Sequence, residues 1–128
     1  MKKVSRKYQD FTEMPIWQLA MQIAEDIFLL TKRLPREEDY GLTSQLRRAA
    51  LSMSSNIAEG FGRSGIRDKC KFYEYAKSSG FEVRNDLIYG WRVGYFKPCE
   101  QQEVSEKILK FTHEINKLLK ALRNGKQG

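Results

Sequence analysis

Lysine and arginine gather in three groups along this chain, and the middle group runs into two tyrosines. Lys2, Lys3, Arg6 and Lys7 come first with no acid among them. Arg63, Arg67, Lys69 and Lys71 flank only Asp68, and Lys117, Lys120, Arg123 and Lys126 follow the last acid, Glu114. Cations neutralise phosphates and aromatic rings stack on bases. Basic residues interleaved with Tyr73 and Tyr75 therefore suit single-stranded nucleic acid. A solvated helix face, with the tyrosines at an interface, would give the same letters. The expected nucleic-acid contacts are Arg63, Arg67, Lys69, Lys71, Lys117, Lys120 and Arg123.

Other chemistries find weaker footing. Gly60-Phe61-Gly62-Arg63-Ser64-Gly65 spells the dinucleotide-binding glycine pattern. That pattern works only after a strand and before a helix. Here it follows a helical stretch, so a helix cap and turn with positive-φ glycines is expected. Arg47 and Arg48 sit among apolar and small residues. They are expected to pair across helices, with Glu59 or Glu82 as partner, since buried charges are normally paired. Asn56 and Glu59 beside Ile57 read as satisfied polar groups that fix helix register. His113, the only histidine, lies off the apolar stripe and makes no zinc set with Cys70 and Cys99. No catalytic residue, metal or cofactor is expected.

These residues must be carried by helices, because the apolar spacing is helical and no segment alternates with period two. The first segment runs from about Pro15 to Leu34 on Ile16, Ala20, Ile23, Ile27 and Leu30. The second runs from about Leu42 to Phe61 on Leu42, Leu46, Ala49, Met53 and Ile57, with small neighbours that suit a central helix. The third, about Arg67 to Val93, uses Phe72, Ala76, Ser79, Val83, Leu87 and Gly90, and the turn Gly94 to Pro98 ends it. The fourth, about Gln101 to Arg123, uses Val104, Ile108, Phe111, Ile115, Leu118 and Leu122. Short connections between four amphipathic helices imply an all-α, up-down-up-down four-helix bundle. The third segment has more apolar residues than one stripe can hold (Phe72, Tyr75, Phe81, Ile88 and Trp91), and such a surplus marks an interface.

The 128 residues amount to a single domain over 1–128, with an ordered core at about 11–123 between a basic arm and a C-terminal tail. Apolar residues at 41% and charged residues at 30% exclude a disordered chain. The net charge of +7 favours acidic partners. The longest run of large apolar residues, Ile27 to Leu30, is too short for a membrane span. Two cysteines and no apolar stretch after the basic start point to a cytoplasmic protein with reduced thiols.

The string from Tyr40 to Gly60 resembles the four-helix-bundle family encoded in intervening sequences of bacterial 23S ribosomal RNA genes. The family's central motif matches Arg47, Arg48 and Ala49, then Asn56 to Gly60. Trp17, Ser79, Glu82, Leu87 and the Gly94-Tyr95 turn match further family positions. Ser78 and Ser54 depart from the usual glycine and a nearby proline. The resemblance spans about 11–122. It implies a homopentameric ring and a relation to accessory proteins of diversity-generating retroelements, which bind nucleic acid and a reverse transcriptase. The expected function is non-enzymatic binding of structured RNA or an RNA–DNA hybrid through phosphates. The alternative is a protein scaffold that docks a reverse transcriptase or another acidic protein. No membrane partner is expected.

Overall fold

The computed structural model describes residues 7–125. Four helices make up most of it: α1 (Pro15–Thr31), α2 (Leu42–Gly62), α3 (Ile66–Arg92) and α4 (Pro98–Arg123). Two 3-10 turns, Phe11–Glu13 and Arg36–Glu38, precede α1 and α2, and there is no strand among the described residues. Each helix packs against two others: α1 on α2 and α4, and α3 on α2 and α4. The diagonal pairs stay apart. Cross-helix polar contacts fix the directions. Arg33 meets Glu100 and Asp26 meets Lys107 between α1 and α4. Glu74 meets Arg123 and Lys77 meets Asn116 between α3 and α4. In each pair one number rises as the other falls, so these neighbours are antiparallel.

The helix ends follow local chemistry. Pro15 and Pro98 both stand at first helical positions, where a missing N–H costs nothing. Pro98 therefore begins α4, three residues before the expected start. Glu100 reinforces that start: its Oε1 accepts the Lys97 N–H at 2.9 Å. Regular α1 ends at Thr31, short of Leu34. Arg33 and Leu34 turn back instead to the carbonyls of Leu30 and Thr31 in tighter three-residue bonds.

The core is one cluster fed by all four helices. The expected stripes of α1 and α2 are buried, save that Leu30 is half-buried. In α3 the buried face holds Cys70, Tyr73, Ala76, Gly80, Val83, Asp86, Leu87 and Gly90. The N-terminal half of that stripe is thus one residue later than expected, with Tyr73 and Gly80 in place of Phe72 and Ser79. In α4 Leu119 is buried and Leu118 lies at the core's edge. Cys70 is buried and Cys99 is exposed, both as free thiols.

Several polar residues at the seams are bonded rather than merely enclosed. Asn56 Nδ2 donates to Ser52 O at 2.9 Å and Ser52 Oγ at 3.0 Å, and Ser79 Oγ donates to the same hydroxyl at 3.0 Å. Asn56 thus bonds within its own helix, and the Ser52–Ser79 pair links α2 to α3. Arg47 joins α1 to α2: its Nε donates to Thr31 Oγ1 at 2.8 Å, and its guanidinium lies 4.7 Å from the centre of the Phe28 ring.

Candidate nucleic-acid interface

Antiparallel topology decides which basic residues meet. The end of α2, the start of α3, the end of α4 and the start of α1 all fall at one end of the bundle. The middle basic group and the C-terminal group, some fifty residues apart in sequence, therefore share that end, and Lys7 joins them. Lys2, Lys3, Arg6 and Lys126 lie outside the described residues.

The seven expected contacts divide once their neighbours are visible. Arg67, Lys71 and Lys120 are exposed and make no ion pair among the described residues. Arg63 pairs with Glu59 at 2.7 Å one turn back, and its guanidinium stacks 4.6 Å from the Phe72 ring centre. Lys117 lies 3.6 Å from Glu114. Arg123 reaches across to Glu74 at 2.9 Å, and Lys77 meets the other Glu74 oxygen at 3.1 Å. The Arg123 hydrogen bond, with help from Lys77, holds the Glu74 carboxyl below the usual range. The same bond raises the Arg123 guanidinium further. These pairs are exposed and exchangeable, so each is worth little to the fold. A phosphate can compete for the cation.

Lys69 has a different task. Its ammonium donates to the carbonyls of Gly60 at 3.2 Å and Phe61 at 2.8 Å, where α2 runs out of backbone donors. The ammonium thus closes the α2 terminus and ties α3 to it.

Tyr73 is corrected from a base-stacking candidate to a core residue. It is 3% exposed, and burial pushes its phenol up to about 12. The ring lies against Gly60, where an added Cβ would come within 2.6 Å of Tyr73 Cε1. Gly60 is therefore absent a side chain to admit a ring, not to supply positive φ. Gly60 and Gly62 are both helical, and the positive-φ glycines are Gly94 and Gly125. Tyr75 remains exposed, edge-on to Phe72 at 5.6 Å between ring centres. It is the tyrosine of this pair that a base could reach.

The other motif residues keep to structure. Arg48 pairs with Glu82 at 3.4 Å across α2 and α3, both side chains well exposed. Glu59 serves Arg63, not Arg47 or Arg48. His113 is exposed. Among the described residues no group of His, Cys, Asp and Glu could hold a metal ion, and no helix is long and apolar enough to cross a membrane. Asp86, buried in α3, went unnoticed in the sequence. Its spacing from Val83 and Gly90 is the signal that places an acid on the inward face.

Four antiparallel helices with cations collected at one end define a small helical-bundle protein. The chain belongs to the 23S rRNA-intervening sequence protein family, whose profile matches residues 12–121. Its fold is similar to the crystal structure of a protein of unknown function from the S23 ribosomal protein family of Bacteroides thetaiotaomicron. The TM-score is 0.76 at 17% identity, over 82% of this chain and 98% of that one. No curated protein matches the chain in sequence.

Proposed function

We propose that this protein is a non-enzymatic, homo-oligomeric nucleic-acid-binding bundle whose contact surface is the basic end. The observation that carries this reading is the meeting of two distant basic groups at one end, with Arg67, Lys71 and Lys120 exposed and unpaired by acids among the described residues. Arg63, Lys117 and Arg123 stand beside them in exposed pairs. Nothing in this surface reads base edges, so recognition rests on phosphates and shape. Structured RNA or an RNA–DNA hybrid fits that chemistry.

Fluorescence anisotropy with labelled structured RNA, duplex DNA and an RNA–DNA hybrid tests it. Affinity should fall steeply with salt, by a log–log slope of roughly 0.7–0.9 per neutralised phosphate. Reversing Arg67, Lys71 and Lys120 to glutamate should weaken binding by about a hundredfold or more at low salt. Salt-independent binding, or full affinity in the triple variant, would remove the basic end from the contact.

The outer face of α3 favours assembly. Tyr75, Phe81 and Val93 are each about half exposed, and Phe28 and Leu29 of α1 form a second apolar patch elsewhere on the bundle. Two different patches suit a head-to-tail contact, which closes into a ring when the rotation permits. A homopentameric ring would repeat the basic end and bind multivalently. Such a ring also suits the scaffold reading, in which the surface docks an acidic protein such as a retroelement reverse transcriptase. Light scattering should show an oligomer that a Phe81→Glu, Val93→Glu variant reduces to monomer. A wild-type monomer at high concentration defeats the ring.

A further inference from the structure

The opposite end of the bundle holds an acid that the described residues do not fully satisfy. Asp86 is 8% exposed, and its Oδ2 is shut off from solvent with no hydrogen-bond partner. Its Oδ1 receives one bond, from Asn85 Nδ2 at 3.2 Å. A buried carboxylate oxygen without a donor is costly, and a ligand that supplies one must displace the atoms that now cover it.

Asp86 lines a cleft of about 450 Å³ between the Arg36–Glu38 turn, the first turns of α2 and the last turns of α3. Glu38, Gln45, Asn85 and Tyr89 line it too, and no lysine or arginine does. Glu38 is already engaged: Oε1 accepts the Leu42 N–H at 3.0 Å and Oε2 accepts the Tyr95 hydroxyl at 2.9 Å. Those bonds hold its carboxyl below the ordinary value, so it stays charged. The cleft therefore offers two carboxyl groups, amide acceptors from Gln45 and Asn85, and the half-exposed Tyr89 ring as a wall.

We propose that this cleft binds a guanidinium group, with Asp86 as its counter-ion. A guanidinium is flat, carries a fork of N–H donors that matches a carboxylate, stacks on an aromatic face and sheds water more readily than an ammonium. A metal ion is a poorer occupant, since the described residues offer no group of three His, Cys, Asp or Glu side chains and the amides of Gln45 and Asn85 are weak ligands. The group can come from an arginine side chain on a partner or from a small free guanidinium compound. This site lies at the far end from the basic surface and does not depend on nucleic-acid binding.

The test is a titration followed by ¹H–¹⁵N NMR, with methylguanidinium chloride, a blocked Gly-Arg-Gly peptide, and potassium chloride at matched ionic strength. Both guanidinium probes should shift the Asn85, Asp86 and Tyr89 signals saturably, and potassium should not. Tighter binding of the peptide assigns the site to an arginine side chain, and equal binding assigns it to a free compound. Asp86→Asn, nearly the same shape, should bind at least tenfold more weakly. Gln45→Lys changes an exposed residue and places an ammonium at the cleft from within. It should abolish guanidinium binding and raise the melting temperature, so it carries the test even if Asp86→Asn fails to fold. The absence of saturable shifts in the wild-type protein, or wild-type binding by Gln45→Lys, overturns the proposal.

Discussion

Phe111→Ala should cost about 3–5 kcal/mol, a large share of the roughly 5–15 kcal/mol that holds a domain of this kind together. Phe111 is fully buried in α4. It stands where α4 meets α3 and α2, beside Gly80, Ile108 and Met53. A Cβ built at Gly80 would lie 3.4 Å from Ile108, 3.5 Å from Met53 and 3.8 Å from the Phe111 ring. Deleting the ring removes its transfer free energy and leaves a hole. Well-packed helices fill such a hole only in part. Urea unfolding should give the loss directly, and Phe111→Leu, which keeps much of the volume, should lose markedly less. A cost below about 1 kcal/mol for Phe111→Ala would mean that the junction collapses freely and is not the rigid centre described here.

Gly90→Ala should destabilise by about 2 kcal/mol or more, against alanine's helical advantage of about 1 kcal/mol. The added methyl would overlap the Phe96 ring, with Cδ2 at 2.6 Å, and touch Leu42 Cδ2 at 3.4 Å. The ring has little freedom to retreat. Phe96 is 4% exposed. Its backbone is pinned as well, since the Gly90 carbonyl accepts the N–H groups of Tyr95 at 2.8 Å and Phe96 at 3.3 Å. The turn after α3 thus folds back onto the residue that has room for it. A Phe96→Leu change made together with Gly90→Ala should recover part of the loss, which a double-mutant cycle measures. A higher melting temperature for Gly90→Ala alone would show that propensity wins and the ring yields.

Helix number, order and the inward faces of α1 and α2 are legible in the sequence, because aliphatic side chains at three- and four-residue spacing have one buried solution. The face of α3 is harder. Phe72 and Tyr73 are both apolar, and Ser79 and Gly80 are both small, so periodicity alone cannot choose within either pair. The choice is made by partners: Tyr73 fits over Gly60, and Gly80 faces Ile108, Met53 and Phe111. Neither partner is adjacent in sequence. The same limit applies at the basic end. Composition locates the cations, but only the fold shows that Arg123 meets Glu74, that Arg63 meets Glu59 and that Lys69 is spent on the end of α2. Asp86 illustrates the limit from the other side. Its place on the inward face follows from spacing, yet its missing partner appears only when the surrounding atoms are known.

The two thiols differ in a way that makes the molecule easy to instrument. Cys99 sits exposed in the first turn of α4 while Cys70 is enclosed, so a maleimide dye should attach at one position under native conditions. At the α-helical rise, Cys99 stands about 36 Å along α4 from Arg123. A fluorophore there would sense a ligand arriving at the basic end by energy transfer without occupying the surface it reports on. Tags at either terminus would crowd that surface, because the described chain begins and ends beside it.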